Sequence, residues 1–68
     1  MKADFVFYGD GTQTTQRTVS TVQEARGLAK KTLRRLGSLS WAIVFVDGLR
    51  ITISSVNGQW QVKEEACA

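Results

Sequence analysis

Two turn dipeptides, Asp47-Gly48 and Asn57-Gly58, constrain the fold of this chain more than any other feature of its sequence. Each lies between segments whose composition is typical of β-strands. Such dipeptides close tight two-residue β-hairpins, because both of their positions accept a positive φ. They therefore predict three consecutive antiparallel strands, at residues 41–46, 49–56 and 59–63.

Two-residue turns also predict how these strands pair. Val44 should oppose Ile51, and Ser55 should oppose Trp60, so that one face of the sheet collects the large apolar side chains. This face is predicted to carry a helix and to form the core, with Ala42, Val44, Val46, Leu49, Ile51, Ile53, Trp60 and Val62.

An amphipathic helix is predicted at about residues 21–36. Ser20 and Thr21 are both suitable N-caps, because each has Gln or Glu three positions later, as in a capping box. Gly37 is expected to end the helix as a left-handed C-cap. One side of the helix carries its apolar residues, together with Thr32: Val22, Ala25, Leu28, Ala29, Leu33 and Leu36.

The region before the helix predicts two further strands. Residues 4–8 are aromatic and β-branched, and the Gly9-Asp10-Gly11 turn follows them. Residues 12–19 have high β propensity but few apolar side chains, which is typical of a polar edge strand. The predicted fold class is therefore α+β. A single small domain of residues 1–68 has the order β-β-α-β-β-β, with the helix on one face of a mainly antiparallel sheet.

Strand order is left open by these patterns. The helix joins the second strand to the third, so those two strands are either parallel neighbours through a right-handed crossover or lie apart in the sheet.

Enzymatic chemistry is not expected. The chain has no histidine, and Cys67 is its single cysteine, which excludes an internal disulfide and leaves no set of ligands for a structural zinc. Asp10 and Asp47 are explained as turn formers, and Glu64 and Glu65 are expected in a solvated tail. We therefore predict no catalytic residues, no metal and no cofactor.

The longest apolar run, residues 41–46, is far too short to span a membrane. The start of the chain also lacks the apolar region of a signal peptide. These features predict a cytoplasmic protein that has no membrane partner.

The helix carries the whole basic excess of the chain. Residues 20–36 hold five basic residues and one acid, whereas the net charge of the full chain is only +3. Like charges at i,i+4 spacing are destabilising, so an anionic partner would explain them. The candidate ligands for DNA or RNA phosphates are Arg26, Lys30, Lys31, Arg34 and Arg35. A merely solvated helix face, an acidic protein and a membrane surface are the alternatives. The membrane surface is the least favoured, because the apolar side of the helix lacks aromatic residues and is needed for the core.

The face of the sheet away from the helix carries three large apolar residues in a row, Trp41, Ile43 and Phe45. Either the first hairpin folds over them, or they form a homodimer interface, or they stack on single-stranded nucleic acid with Arg50 and Lys63 beside them.

The leading hypothesis is a small non-enzymatic binding module that contacts nucleic-acid phosphates through its basic helix. The alternative is a protein-interaction module that acts as a homodimer, adaptor or inhibitor through the apolar face or the polar edge strand.

Overall fold

A computed structural model describes residues 1–37 and 39–67, so Ser38 and Ala68 lie outside the described chain. The element order is the predicted β-β-α-β-β-β. The bounds are β1 Lys2–Gly9, β2 Gly11–Thr18, α1 Val22–Leu36, β3 Trp41–Val46, β4 Leu49–Val56 and β5 Gln59–Ala66. The α+β fold class is confirmed.

All five strands form one antiparallel sheet in the order β2-β1-β3-β4-β5. β1 lies between β2 and β3, so the two strands that flank the helix in sequence are parallel but are not neighbours. The sequence allowed β2 and β3 to be parallel neighbours or to lie apart in the sheet, and the structure shows that they lie apart.

Both predicted two-residue turns are confirmed. Asp47 and Asn57 each have a φ of 52°, and the glycines that follow them also have positive φ. The predicted pairing of β3, β4 and β5 holds along their length, with Val44 opposite Ile51 and Ser55 opposite Trp60.

The helix begins after Thr21, whose Oγ1 accepts a hydrogen bond from the Glu24 amide at 3.0 Å. The Glu24 carboxylate in turn accepts from the Ser20 amide at 2.6 Å, which decides the N-cap in favour of Thr21. Gly37 ends the helix with φ 107° and ψ 170°. This φ is positive, as expected, but the ψ lies outside the left-handed helical region, so the predicted type of C-cap was wrong.

α1 packs across β1, β3 and β4 on one face of the sheet. The predicted core residues of β3 and β4 are buried there, apart from Leu49, which is half-buried; β1 adds three buried residues, Ala3, Phe5 and Phe7. Trp60 is only partly buried and Val62 is exposed, because α1 packs on β1, β3 and β4 but not on β5. Leu36, the last residue of α1, is also exposed.

β5 is longer than predicted. It continues to Ala66, and the Cys67 amide donates to the Gly48 carbonyl at 2.8 Å, so the expectation of a solvated tail at Glu64 and Glu65 was wrong. The strand continues because β4 is equally long and offers backbone partners as far as Leu49. Backbone hydrogen bonding outweighs the low β propensity of two adjacent glutamates.

Candidate interaction surfaces

The face of the sheet opposite α1 is not covered by any element of the described chain. The first hairpin was one candidate to fold over it, but β1 and β2 lie in the same sheet, beside β3. Instead of covering Trp41, Ile43 and Phe45, β1 extends the apolar surface with Val6 and Tyr8. We call this surface the open face, and its apolar centre consists of Val6, Tyr8, Trp41, Ile43 and Phe45.

Cross-strand pairing holds the apolar centre of the open face together. Tyr8 lies opposite Trp41, and their rings stack with centroids 4.2 Å apart and an interplanar angle of 15°. Ile43 pairs with Val6 on one side and Thr52 on the other, which leaves it only 7% exposed. Trp41 and Phe45, in contrast, are each 39% exposed.

Polar and charged residues surround this apolar centre. The β2 margin presents threonines and a glutamine, and Gln16 donates a hydrogen bond of 2.8 Å to Asp4. On the other side, Arg50 lies opposite Phe45, and Lys63 forms an ion pair of 3.5 Å with Glu65. The residues predicted for the interaction face therefore do share one surface: Trp41, Ile43, Phe45, Arg50 and Lys63.

The five basic residues of α1 do not form a single surface. Arg26, Lys30 and Arg34 lie on the helix flank that faces β5, and their side chains reach residues of that strand. Arg26 forms an ion pair of 2.8 Å with Glu64, and the side chains of both are more than a third exposed. Such a pair contributes about 0.2–1 kcal/mol.

Trp60 contacts the other two members of this flank. The Lys30 Nζ lies 5.8 Å from the centre of the Trp60 ring, and the Arg34 Cζ lies 5.7 Å from it. Cation–π contacts of this kind contribute about 0.5–1 kcal/mol each at exposed positions. The basic residues of this flank therefore have intramolecular partners on β5, Glu64 and Trp60, which the charge pattern alone did not predict.

Lys31 and Arg35 lie on the opposite flank of α1, where they line a groove of about 410 Å³ between the helix and β2. The buried side chains of Phe5 and Phe7 form part of its lining, and Arg17 of β2 contributes a third cation. Neither Arg17 as a site residue nor the groove was predicted from the sequence. The alternation of β2 relative to β1, which places Gln13, Thr15 and Arg17 on the helix side, could have indicated them.

Within residues 1–37 and 39–67, no group of three or more His, Cys, Asp or Glu side chains is placed to hold a metal ion. The same residues contain no helix with the length and apolarity needed to cross a membrane. Comparison with protein-family models, with curated proteins and with solved structures found no match for this chain.

Proposed function

We propose that the protein is a small non-enzymatic interaction module that binds through the open face of its sheet, and that the partner on this face is a second copy of the chain. The exposure of Trp41 and Phe45 carries this proposal. Two large aromatic side chains, each 39% exposed, flank a nearly buried Ile43 at the centre of a surface that no described element covers. Apolar patches of this kind mark interaction sites on small proteins.

The charges of the open face support a protein partner rather than a phosphate chain. Three basic residues, Lys2, Arg50 and Lys63, share it with the two acids Asp4 and Glu65. Lys63 is moreover paired with Glu65. Phosphate backbones favour a field of one sign. An apolar aromatic centre with a polar rim of mixed charge is instead the usual anatomy of a protein interface.

The arrangement of these charges supports self-association. Asp4 and Arg50 lie on either side of Phe45, on the two strands next to β3. In a two-fold contact the same patch meets itself, so Asp4 of each copy can approach Arg50 of the other. Packing two open faces together would also enlarge the thin core of the protein, because a domain of this size buries only about 60% of the surface of its unfolded chain.

Sedimentation equilibrium from low micromolar to millimolar concentration tests this proposal. We expect the wild-type chain to dimerise and Phe45→Lys to remain monomeric with an unchanged far-UV circular dichroism spectrum. Leu39→Lys is the matched control, because Leu39 is 91% exposed and lies in the connection before β3. A monomeric wild-type chain throughout this range would overturn the proposal, and so would a dimer that persists in Phe45→Lys.

Tryptophan fluorescence gives a second measurement that does not depend on a lysine substitution in the sheet. Trp60 lies on the helix side, so Trp60→Phe leaves Trp41 as the only reporter. Burial of Trp41 in a dimer should shift its emission to shorter wavelength as the concentration rises. An emission spectrum that is independent of concentration would argue against contact at this face.

Phosphate binding by Arg26, Lys30, Lys31, Arg34 and Arg35 stays a prediction, with less support than the open face. Arg26, Lys30 and Arg34 already have intramolecular partners. If these residues bind nucleic acid, affinity for duplex or single-stranded DNA should fall steeply between about 50 and 200 mM salt. It should also be lost when Lys30, Arg34 and Arg35 are changed to Glu.

A further inference from the structure

β2 is the less protected of the two edges of the sheet. It pairs only with β1, and all eight of its residues are exposed. Proteins commonly protect an edge strand with charges or proline, yet Arg17 is the only charged residue of β2. The other edge, β5, carries Lys63, Glu64 and Glu65. β2 therefore offers a row of backbone donors and acceptors with little to repel an added strand.

The groove between β2 and α1 lies next to this edge. Its apolar part comes from Phe5, Phe7 and Leu28, and its polar part includes Gln13, Thr15 and Thr32. The Thr32 hydroxyl donates to the Leu28 carbonyl at 3.0 Å, so it is already used within the helix. The volume of about 410 Å³ leaves room for side chains that enter from the edge of the sheet.

Three cations, Arg17, Lys31 and Arg35, surround the groove, and no acid lines it. Four of the six acids of the chain have partners elsewhere: Asp4 accepts from Gln16, Glu24 from Ser20, Glu64 pairs with Arg26, and Glu65 with Lys63. The other two, Asp10 and Asp47, lie in hairpin turns. The groove therefore carries a local positive charge that no acid among the described residues neutralises.

We infer that the groove and the β2 edge together bind an extended acidic peptide, which adds to the sheet as a strand beside β2. In strand addition, backbone hydrogen bonds supply affinity and alternate side chains supply specificity. Because side chains alternate between the faces of a strand, every second residue of the peptide would point to the helix side. Glutamate or aspartate at these positions would reach the cations.

The groove lies on the opposite side of the sheet from the proposed dimer contact, and β1 separates the β2 edge from the β3 residues of that contact. Strand addition also differs from nucleic-acid binding in a way that can be measured. A phosphate backbone can neutralise Arg17, Lys31 and Arg35, but it has no alternating N–H and C=O groups that match a β-strand edge.

Fluorescence anisotropy with a short labelled peptide of alternating glutamate and valine tests the inference. The same peptide with glutamine in place of glutamate should bind about tenfold more weakly or worse, because charge-assisted contacts are lost. In two further peptides, every second residue is N-methylated: the odd-numbered residues in one peptide and the even-numbered residues in the other. Strand addition requires that at least one of them binds much more weakly than the parent.

Paired charge reversals locate the site. Lys31→Glu with Arg35→Glu should weaken binding of the glutamate peptide by about tenfold or more. Lys30→Glu with Arg34→Glu is the matched control, because it makes the same change in net charge on the other flank of α1. Phe45→Lys should leave peptide binding unchanged, which separates failure of this site from failure of the proposed dimer.

Three outcomes would overturn the inference. The first is equal weakening by both charge reversals, because binding would then follow net charge rather than the groove. The second is undiminished binding of both N-methylated peptides, especially if an oligothymidylate competes efficiently, because the groove would then be an unspecific anion site. The third is the absence of any binding of the glutamate peptide to the wild-type chain at low salt.

Discussion

The same substitution, glycine to alanine, should stabilise the protein at position 27 and destabilise it at position 37. Gly27 lies inside α1, and an added Cβ would meet no atom within 4 Å apart from the adjacent residues and the local helix backbone. Alanine there would gain about 0.5–1 kcal/mol, because glycine loses more backbone entropy in a helix. The gain is a pure helix-propensity effect, since no new contact is made.

At Gly37 the surroundings are equally open, but the backbone conformation disfavours any residue other than glycine. A Cβ there would also meet nothing within 4 Å, yet φ is 107° and ψ is 170°. This region is almost restricted to glycine, so alanine should cost about 1–3 kcal/mol. Because the steric surroundings are matched, the two variants should differ only through backbone conformation, by roughly 1.5–4 kcal/mol.

Thermal and urea unfolding followed by far-UV circular dichroism would measure this difference. For a domain of this size, a change of 1 kcal/mol shifts Tm by about 4–8 °C, so the two variants should melt on the order of 10 °C apart. All samples need one protein concentration, because self-association would itself raise Tm. If Gly37→Ala unfolded at or above the wild-type temperature, the argument from the φ of Gly37 would be refuted. A destabilised Gly27→Ala would refute the argument from helix propensity.

Two further changes test how the helix is joined to the sheet. Thr21→Ala removes the N-cap oxygen that accepts from Glu24, and urea unfolding should show a loss of about 1 kcal/mol; an unchanged midpoint would mean that the cap contributes nothing. Gly9→Ala would place a Cβ 2.6 Å from the Oγ of the buried Ser40, whose hydroxyl donates to the Leu36 carbonyl at 3.3 Å. We expect a cost of about 1–3 kcal/mol from this overpacking, and a smaller cost when Ser40→Ala is already present. Strict additivity of the two changes would contradict the contact between these residues.

Local patterns predicted the helix and the β3–β5 half of the sheet well, because a turn of known length sets the register of the strands beside it. The pairing of Val44 with Ile51 and of Ser55 with Trp60 follows from Asp47-Gly48 and Asn57-Gly58 alone. No short turn joins β1 to β3, so nothing local sets their pairing. The pairing of β1 with β3 spans the whole helix, and no local feature encodes which strand β1 joins.

The candidate sites were predicted less completely for the same reason. Strand alternation correctly placed Trp41, Ile43 and Phe45 together, because faces follow from a period of two. The partners of the basic residues could not be found in this way. Arg26 meets Glu64 only because β5 is the edge strand on that side of α1. The groove beside Lys31 likewise depends on β2 lying at the edge, which required the strand order.

The position of β1 between β2 and β3 also has a consequence for how the chain folds. The β1–β2 hairpin and the β3–β5 meander each pair residues that are close in sequence, whereas the β1–β3 pairing joins residues separated by the entire helix. Closing that long loop costs more chain entropy than closing either hairpin, so the β1–β3 pairing should limit the folding rate. Pulse-labelling hydrogen exchange should then find the amides of β4 protected before those that join β1 to β3. The two halves of the sheet would form first, and their joining would create the phenylalanine-lined core beneath α1.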